Sequence, residues 1–260
     1  MKNLEVLILF FLALSIDTVY GQSQETKGLE IAQQADEADQ GFESVEANLK
    51  MKLTNTQGQV SERYMSNKIL EVKDDGDKSM IVFESPKDVS GTKTLTYTHK
   101  QGPDDQWLYL PALRRVKRIS SDNKSGPFMG SEFSYEDLSS SEVEKYTYKY
   151  VEETTMSGAK IAVVEQYPVD PKSGYSKRIA YYNLSVDHRM EKIEYYDRKG
   201  AKLKTLLYED YKQYLDKHWR AGLLVMTNQQ NGKKTELIFS DFAFKTGLSD
   251  ASFTQNSLRR

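Results

Sequence analysis

Cysteine is absent from all 260 residues. The chain therefore has no disulfide to hold it, no thiol nucleophile, and no cysteine for a lipid to modify behind an export signal. Histidine is scarce: His99, His188 and His218 stand far apart, and none falls in a metal-ligand spacing such as His-x-x-x-His. They read as ordinary strand or loop residues, and no metal or cofactor is expected. The nearest approach to a glycine-rich phosphate loop, SGPFMGS at 125–131, has two glycines and an inconvenient proline. No serine sits in Gly-x-Ser-x-Gly, and Ser-x-x-Lys occurs in no convincing setting. A net charge of −2, from 36 basic and 38 acidic residues, excludes a global pull toward nucleic acid or an anionic membrane.

Long apolar runs are also missing, with one exception at the start. MKNLEVLILFFLALSIDTVYG sets Lys2 before an apolar run from Leu4 to Leu14, and ends in Val19-Tyr20-Gly21. That order predicts a secretory signal peptide over 1–21, cleaved after Gly21. The run falls short of the about twenty residues that a comfortable transmembrane helix needs, and an uncleaved anchor is the alternative reading. The mature chain, 22–260, is expected as a single domain, located in the periplasm of a Gram-negative host. With 38% hydrophobic residues it can bury a sizeable core.

Within that chain KGLEIAQQADEADQG places Leu29, Ala32, Ala35 and Ala38 at helical spacing before Gly41, which predicts a helix over 28–40. Turn residues then recur at 55–58, 74–76, 90–91, 102–103, 157–158, 199–200 and 231–232, between segments rich in Thr, Tyr, Val, Ile and Phe. In GTKTLTYTH, Leu95 and Tyr97 share one face, and Thr94, Thr96 and Thr98 the other. Short strands at this spacing predict an antiparallel sheet or barrel built from hairpins. The seventeen tyrosines suit such a sheet, covering apolar surface while their hydroxyls reach water. The irregular stretch 120–142 carries Phe128, Met129, Phe133, Tyr135 and Leu138, and is expected to pack on something.

Two groups of charges invite chemistry. KDDGDKS at 73–79 holds three close carboxylates but lacks the spacing of a calcium loop, so a hairpin turn is the better reading. Glu136-Asp137 and Glu209-Asp210 resemble acid–base pairs, yet neighbours on a strand point to opposite faces, which favours solvated charge. QWLYLPALRRVKRISS, 106–121, runs an aromatic–aliphatic strand into a Pro111 turn and then sets Arg114, Arg115, Lys117 and Arg118 close together. The cluster reads as a solvated strand face, as a contact for an anionic or lipid ligand or a membrane-side partner, or as a nucleic-acid platform. Export and balanced charge oppose the last.

DDQWLYLPALRRVKRISSDNKSGPFMGSEFSYEDLS at 104–139 resembles the signature block of the outer membrane lipoprotein-sorting proteins, relatives of the periplasmic Lol lipoprotein carrier. ADEADQG, ERYM, MIVFESPKDVSGTKTLTY, YSKRIAYYN, YYDRKG and FTQNSL extend the resemblance over the mature chain. It implies a mainly β (α+β) fold, a curved, incomplete antiparallel β-barrel of roughly eleven strands with helices packed in the concave side as a lid. The implied function is a monomeric carrier for the acyl part of lipoproteins or lipids, with no covalent chemistry. Its partners would be an inner-membrane transporter and an outer-membrane acceptor, with no nucleic acid. The alternative is a non-carrier accessory subunit docked on a transporter of the resistance-nodulation-division type; a hydrolase is a more distant third. On this expectation Leu95, Tyr97, Trp107 and Tyr109 form cavity wall, Phe128, Met129 and Phe133 lie near the mouth, and the four cations meet an anionic head group or partner.

Overall fold

The computed structural model describes residues 24–259, so the expected signal peptide lies outside the described residues. Hairpin punctuation builds β1 (Ser44–Thr54), β2 (Val60–Leu70), β3 (Lys78–Ser85), β4 (Lys93–Tyr97), β5 (Asp105–Leu110) and β6 (Arg115–Ile119). After a long crossing follow β7 (Tyr146–Met156), β8 (Ala159–Pro168), β9 (Tyr175–Asn183), β10 (Arg189–Asp197), β11 (Lys202–Tyr214), β12 (His218–Asn228) and β13 (Lys234–Phe244). They form one antiparallel sheet in the order β6-β5-β4-β3-β2-β1-β13-β12-β11-β10-β9-β8-β7, thirteen strands where the resemblance implied about eleven. Among the described residues the only neighbouring strands that are not consecutive in the chain are β1 and β13. The chain thus starts mid-sheet, runs out to the β6 edge, crosses by residues 120–145 to the β7 edge, and returns beside its own first strand.

The sheet is curved and unclosed. Bulges contribute to the bend, because an extra residue in one strand kinks it and increases its twist. Asp241 (φ 55°) sits where β13 slips its register against β1, and the Asn48 amide donates to its carboxylate at 2.8 Å. Asp210 also has a positive φ (56°), in β11 opposite Gly222 but without a register slip, and a Cβ on Gly222 would lie 3.0 Å from the Asp210 carbonyl. Only glycine fits there without a shift.

One helix, α1 (residues 24–39), lies on the sheet. It starts four residues earlier than expected, and its contact face is corrected too: Gly28, Ile31 and Ala32 are buried, whereas Leu29 is 37% exposed. Gly28 explains the change. A Cβ there would come within 2.8 Å of the Tyr150 backbone nitrogen, so the glycine lets helix and strand touch. Ile31 and Ala32 pack on Tyr148, Ala162, Val164, Ala180 and Tyr182 of β7–β9.

The main core lies on the same face, where Leu49, Met51, Met65, Phe83, Leu206, Met226 and Leu237 meet Phe128 and Phe133 of the crossing segment. The packing expected of 120–142 is present. The opposite face of β3–β5 is covered as well. Met80, Leu95, Tyr97, Trp107 and Tyr109 pack under Phe253 and Leu258 of the C-terminal segment, both fully buried. The Tyr97 hydroxyl donates to the Phe253 carbonyl. Tyr97→Phe leaves that carbonyl without its donor and is expected to cost about 1 kcal/mol in urea unfolding.

Candidate functional site

Between α1, the crossing segment and the β7–β13 half of the sheet lies a cavity of about 1270 Å³. Strand alternation supplies its wall: Val45 and Ala47 from β1, Ile193 and Tyr195 from β10, Leu206 and Tyr208 from β11, Leu224 from β12 and Phe239 from β13. The helix contributes Ala32, Ala35 and Ala38. These small side chains cover the wall without filling the space beneath them.

The crossing segment is held on the sheet as a strap. Lys204, from β11, pairs with Asp137 at 2.6 Å, with side chains 5% and 3% exposed. Asp137 also accepts from the Ser134 backbone N–H (2.7 Å) and the Tyr175 hydroxyl (2.8 Å), and Lys204 donates to the Glu132 carbonyl (3.0 Å). Glu136 accepts from the Gly174 N–H and the Ser173 hydroxyl, each at 2.9 Å. Burial, then the neighbouring Asp137 charge, raises the Glu136 carboxyl above its ordinary range. The expectation that Glu136 and Asp137 are solvated strand charge is corrected: they sit in a 3-10 turn over 135–138, closed by a capping box, where both can point inward. On the other side Gln106 donates to the Tyr135 carbonyl (2.9 Å) and Arg63 to that of Met129.

At one rim the 71–77 turn meets the strap. Asp77 is pushed up to about 7 by burial and then by the Glu142 charge, partly offset by the Val72 N–H. Glu142 and Asp36 are also raised, in both cases first by burial. Ser140 ties the group together, accepting from the Asp77 N–H (3.4 Å) and donating to Glu142 (2.6 Å). KDDGDKS therefore forms the expected turn, and among the described residues no cluster of three or more His, Asp or Glu could hold a metal. The histidines stay apart: His99 pairs with Asp75 at 2.7 Å, while His218 is buried against Phe42 and Phe244.

Of the residues expected at the site, Phe133 lines the cavity. Phe128 is core, with its ring 5.8 Å from that of Phe83, and Met129 packs against the same core. Leu95, Tyr97, Trp107 and Tyr109 lie on the far face, under the C-terminal segment. Trp107 and Leu108 alternate, and the same-face partners of Leu108 are Thr94 and Ile81, which puts Leu108 on the cavity side of the sheet and Trp107 on the other. Arg114, Arg115, Lys117 and Arg118 are exposed along the β6 edge, away from the cavity lining, and Arg118 pairs with Asp105.

Missed in the sequence were Arg178 and the tyrosines around it. Arg178, 7% exposed, lines the cavity with its guanidinium 3.8 Å from the Tyr146 ring centroid. It donates to Gln166 and to the Ser141 hydroxyl (2.6 Å). A signal existed in YSKRIAYYN: Arg178, Ala180 and Tyr182 fall on one face, so a cation alternates with buried positions.

Comparison with known proteins bears on this geometry. A family model described as an uncharacterized protein matches residues 75–260. A crystal structure of a domain from Vibrio parahaemolyticus, described as an outer membrane lipoprotein-sorting protein, is 52% identical, with a TM-score of 0.89 over 91% of this chain and 100% of that one. The chain belongs to the outer membrane lipoprotein-sorting protein family. A DUF1329 family protein from Desulfovibrio piger is 26% identical (TM-score 0.85, 90% of this chain and 99% of that one). A LolA superfamily protein from Nitrosomonas europaea shares the fold at 20% identity, with a TM-score of 0.71 over 88% of this chain and 97% of that one. No curated protein matches the chain. The expected incomplete barrel with a helical lid is the fold of this lipoprotein-sorting family member, with one α-helix as the lid.

Proposed function

We propose that this lipoprotein-sorting family protein is a periplasmic carrier, one domain over 22–260, which holds the acyl part of a lipoprotein or lipid between inner and outer membrane. The cavity carries the reading. At about 1270 Å³ it exceeds the roughly 300–1,000 Å³ of ordinary small-molecule pockets, and apolar side chains from α1, β1 and β10–β13 line it. An acyl chain left in water costs about 0.8 kcal/mol per methylene, so a lipid crossing an aqueous compartment needs such an enclosure. Binding and release, without covalent chemistry, are all that this role requires.

The exposed cations of β6 would serve a different step. A strand at the sheet edge offers unpaired backbone groups, and Arg115 and Lys117 add positive charge to that edge. This suits an acidic surface on the transporter or acceptor. Reversing both charges is expected to weaken cross-linking to that partner while leaving acyl binding intact.

Native mass spectrometry of the protein taken from its own periplasm should show a bound lipid or lipoprotein. Ala35→Phe places a ring where α1 now leaves space. It is expected to weaken binding of a fluorescent acyl probe at least about tenfold, which is roughly 1.4 kcal/mol. Absence of any acyl binding, with a transporter still captured in cells, would replace the carrier with a docked accessory subunit.

A further inference from the structure

Arg178 is a buried cation without a counter-ion. Among the described residues no carboxylate lies within ion-pairing distance of its guanidinium, and the carboxylates of the strap are engaged elsewhere: Asp137 with Lys204, Glu136 with Gly174 and Ser173, Glu142 with Ser140. Its two hydrogen bonds go to neutral oxygens and use two of the five guanidinium N–H groups. Stacking on Tyr146 offsets part of the charge, about 2 kcal/mol or somewhat more for a desolvated pair. A buried, unneutralised ion costs several kcal/mol, so the balance remains unfavourable until an anion arrives.

The surroundings are built to receive one. Tyr146, Tyr195 and Tyr208 line the same cavity, and among the described residues none of their hydroxyls has a hydrogen-bond partner. Arg178 stands opposite Tyr195 in the β9–β10 register, and Tyr182, four residues along β9 on the same face, accepts a hydrogen bond from the Gln166 amide at 2.6 Å. Burial keeps the hydroxyls of Tyr146, Tyr195 and Tyr208 protonated far above neutral pH, so they act as donors. A guanidinium that shares its cavity with three hydroxyl donors, each feeling its charge, matches a carboxylate or phosphate, which accepts several charge-assisted hydrogen bonds at once.

We propose that Arg178, with the hydroxyls of Tyr146, Tyr195 and Tyr208, binds the anionic group of an acidic amphiphile inside the cavity, its alkyl part lying along the apolar wall. The inference rests on the cavity being a lipid site and narrows its ligand to one whose charged end is enclosed rather than left in water.

The test compares an acid with its neutral twin. Delipidated full-length protein is titrated with cis-parinaric acid and with cis-parinaric acid methyl ester; the acid is expected to bind at least about tenfold more tightly. Competition by palmitate against hexadecyl phosphate then tells which anion fits better, and displacement by either supports the site. Arg178→Met should weaken the acid about tenfold or more and leave the ester within about twofold. Tyr195→Phe and Tyr208→Phe remove a hydroxyl alone and should each weaken only the acid; with the parent-protein comparison they decide the matter should Arg178→Met fail to fold. Equal affinity for acid and ester in the parent protein overturns the anion site while the carrier reading stands. Binding of neither probe overturns both.

Discussion

Lys204→Met is expected to destabilise the protein by about 3–5 kcal/mol, because it leaves Asp137 charged and buried without its cation. The pair is enclosed, at 5% and 3% exposure, so water cannot replace the lost partner. For a domain of this size each kcal/mol moves the thermal midpoint by about 2–4 °C, so a fall of roughly 10 °C should be visible by circular dichroism. Asp137→Asn in the same chain removes the stranded charge, and the double variant should recover part of the loss. A double-mutant cycle in urea measures the coupling. Strong coupling also has a functional consequence: the pair fixes the strap on β11, and the strap forms one wall of the cavity. A cost below about 1 kcal/mol for Lys204→Met would show that the strap is held by its apolar residues alone.

Asp77→Asn should make the protein more stable at pH 8 than its parent by about 4 kcal/mol at most, and by much less at pH 4. The sign follows from its shift. Asp77 titrates near 3.8 when unfolded and near 7 when buried at the rim, so the native state holds the proton more tightly. Stability therefore falls as pH rises between those values and levels off above about 7. Asparagine keeps the oxygen that accepts from Val72 and never ionises. Other groups titrate in the same window, so the difference between variant and parent, measured in urea at pH 5 and pH 8, isolates Asp77. A difference of about 3 kcal/mol between the two pH values is expected. Ionisation beside Glu142 loosens the 71–77 turn from the strap, so acyl-probe release should be faster at pH 8 in the parent, with a smaller pH dependence in the variant. Equal stabilities across pH would mean that Asp77 is solvated in solution.

Much of this architecture is legible in the chain. Turn residues at 55–58, 157–158, 199–200 and 231–232 mark hairpins because their backbone freedom is local chemistry, and the strands between them alternate with period two. The helix, the packing of 120–142 on the sheet, and the double coverage of β5 follow from the same local patterns. The helix face was misread because spacing alone ranked Leu29 with the alanines. The contact at Gly28, where α1 touches the backbone of β7, selects Ile31 instead.

The site was far less legible, and one reason accounts for it. Alternation shows that Leu95 and Tyr97 oppose Thr94 and Thr96, but carries no sign that says which set faces the cavity. That sign comes from the bulge at Asp241, from the pairing of β1 with β13, and from a strap that crosses from one sheet edge to the other. Each of these joins residues that are remote in sequence. The amino-acid order thus settles where strands begin and end and which side chains share a face. Only the folded sheet decides that threonines line the inner side of β4, that Trp107 lies outside under Phe253, and that Arg178 is buried facing the cavity, because burial and charge pairing depend on what a distant segment brings.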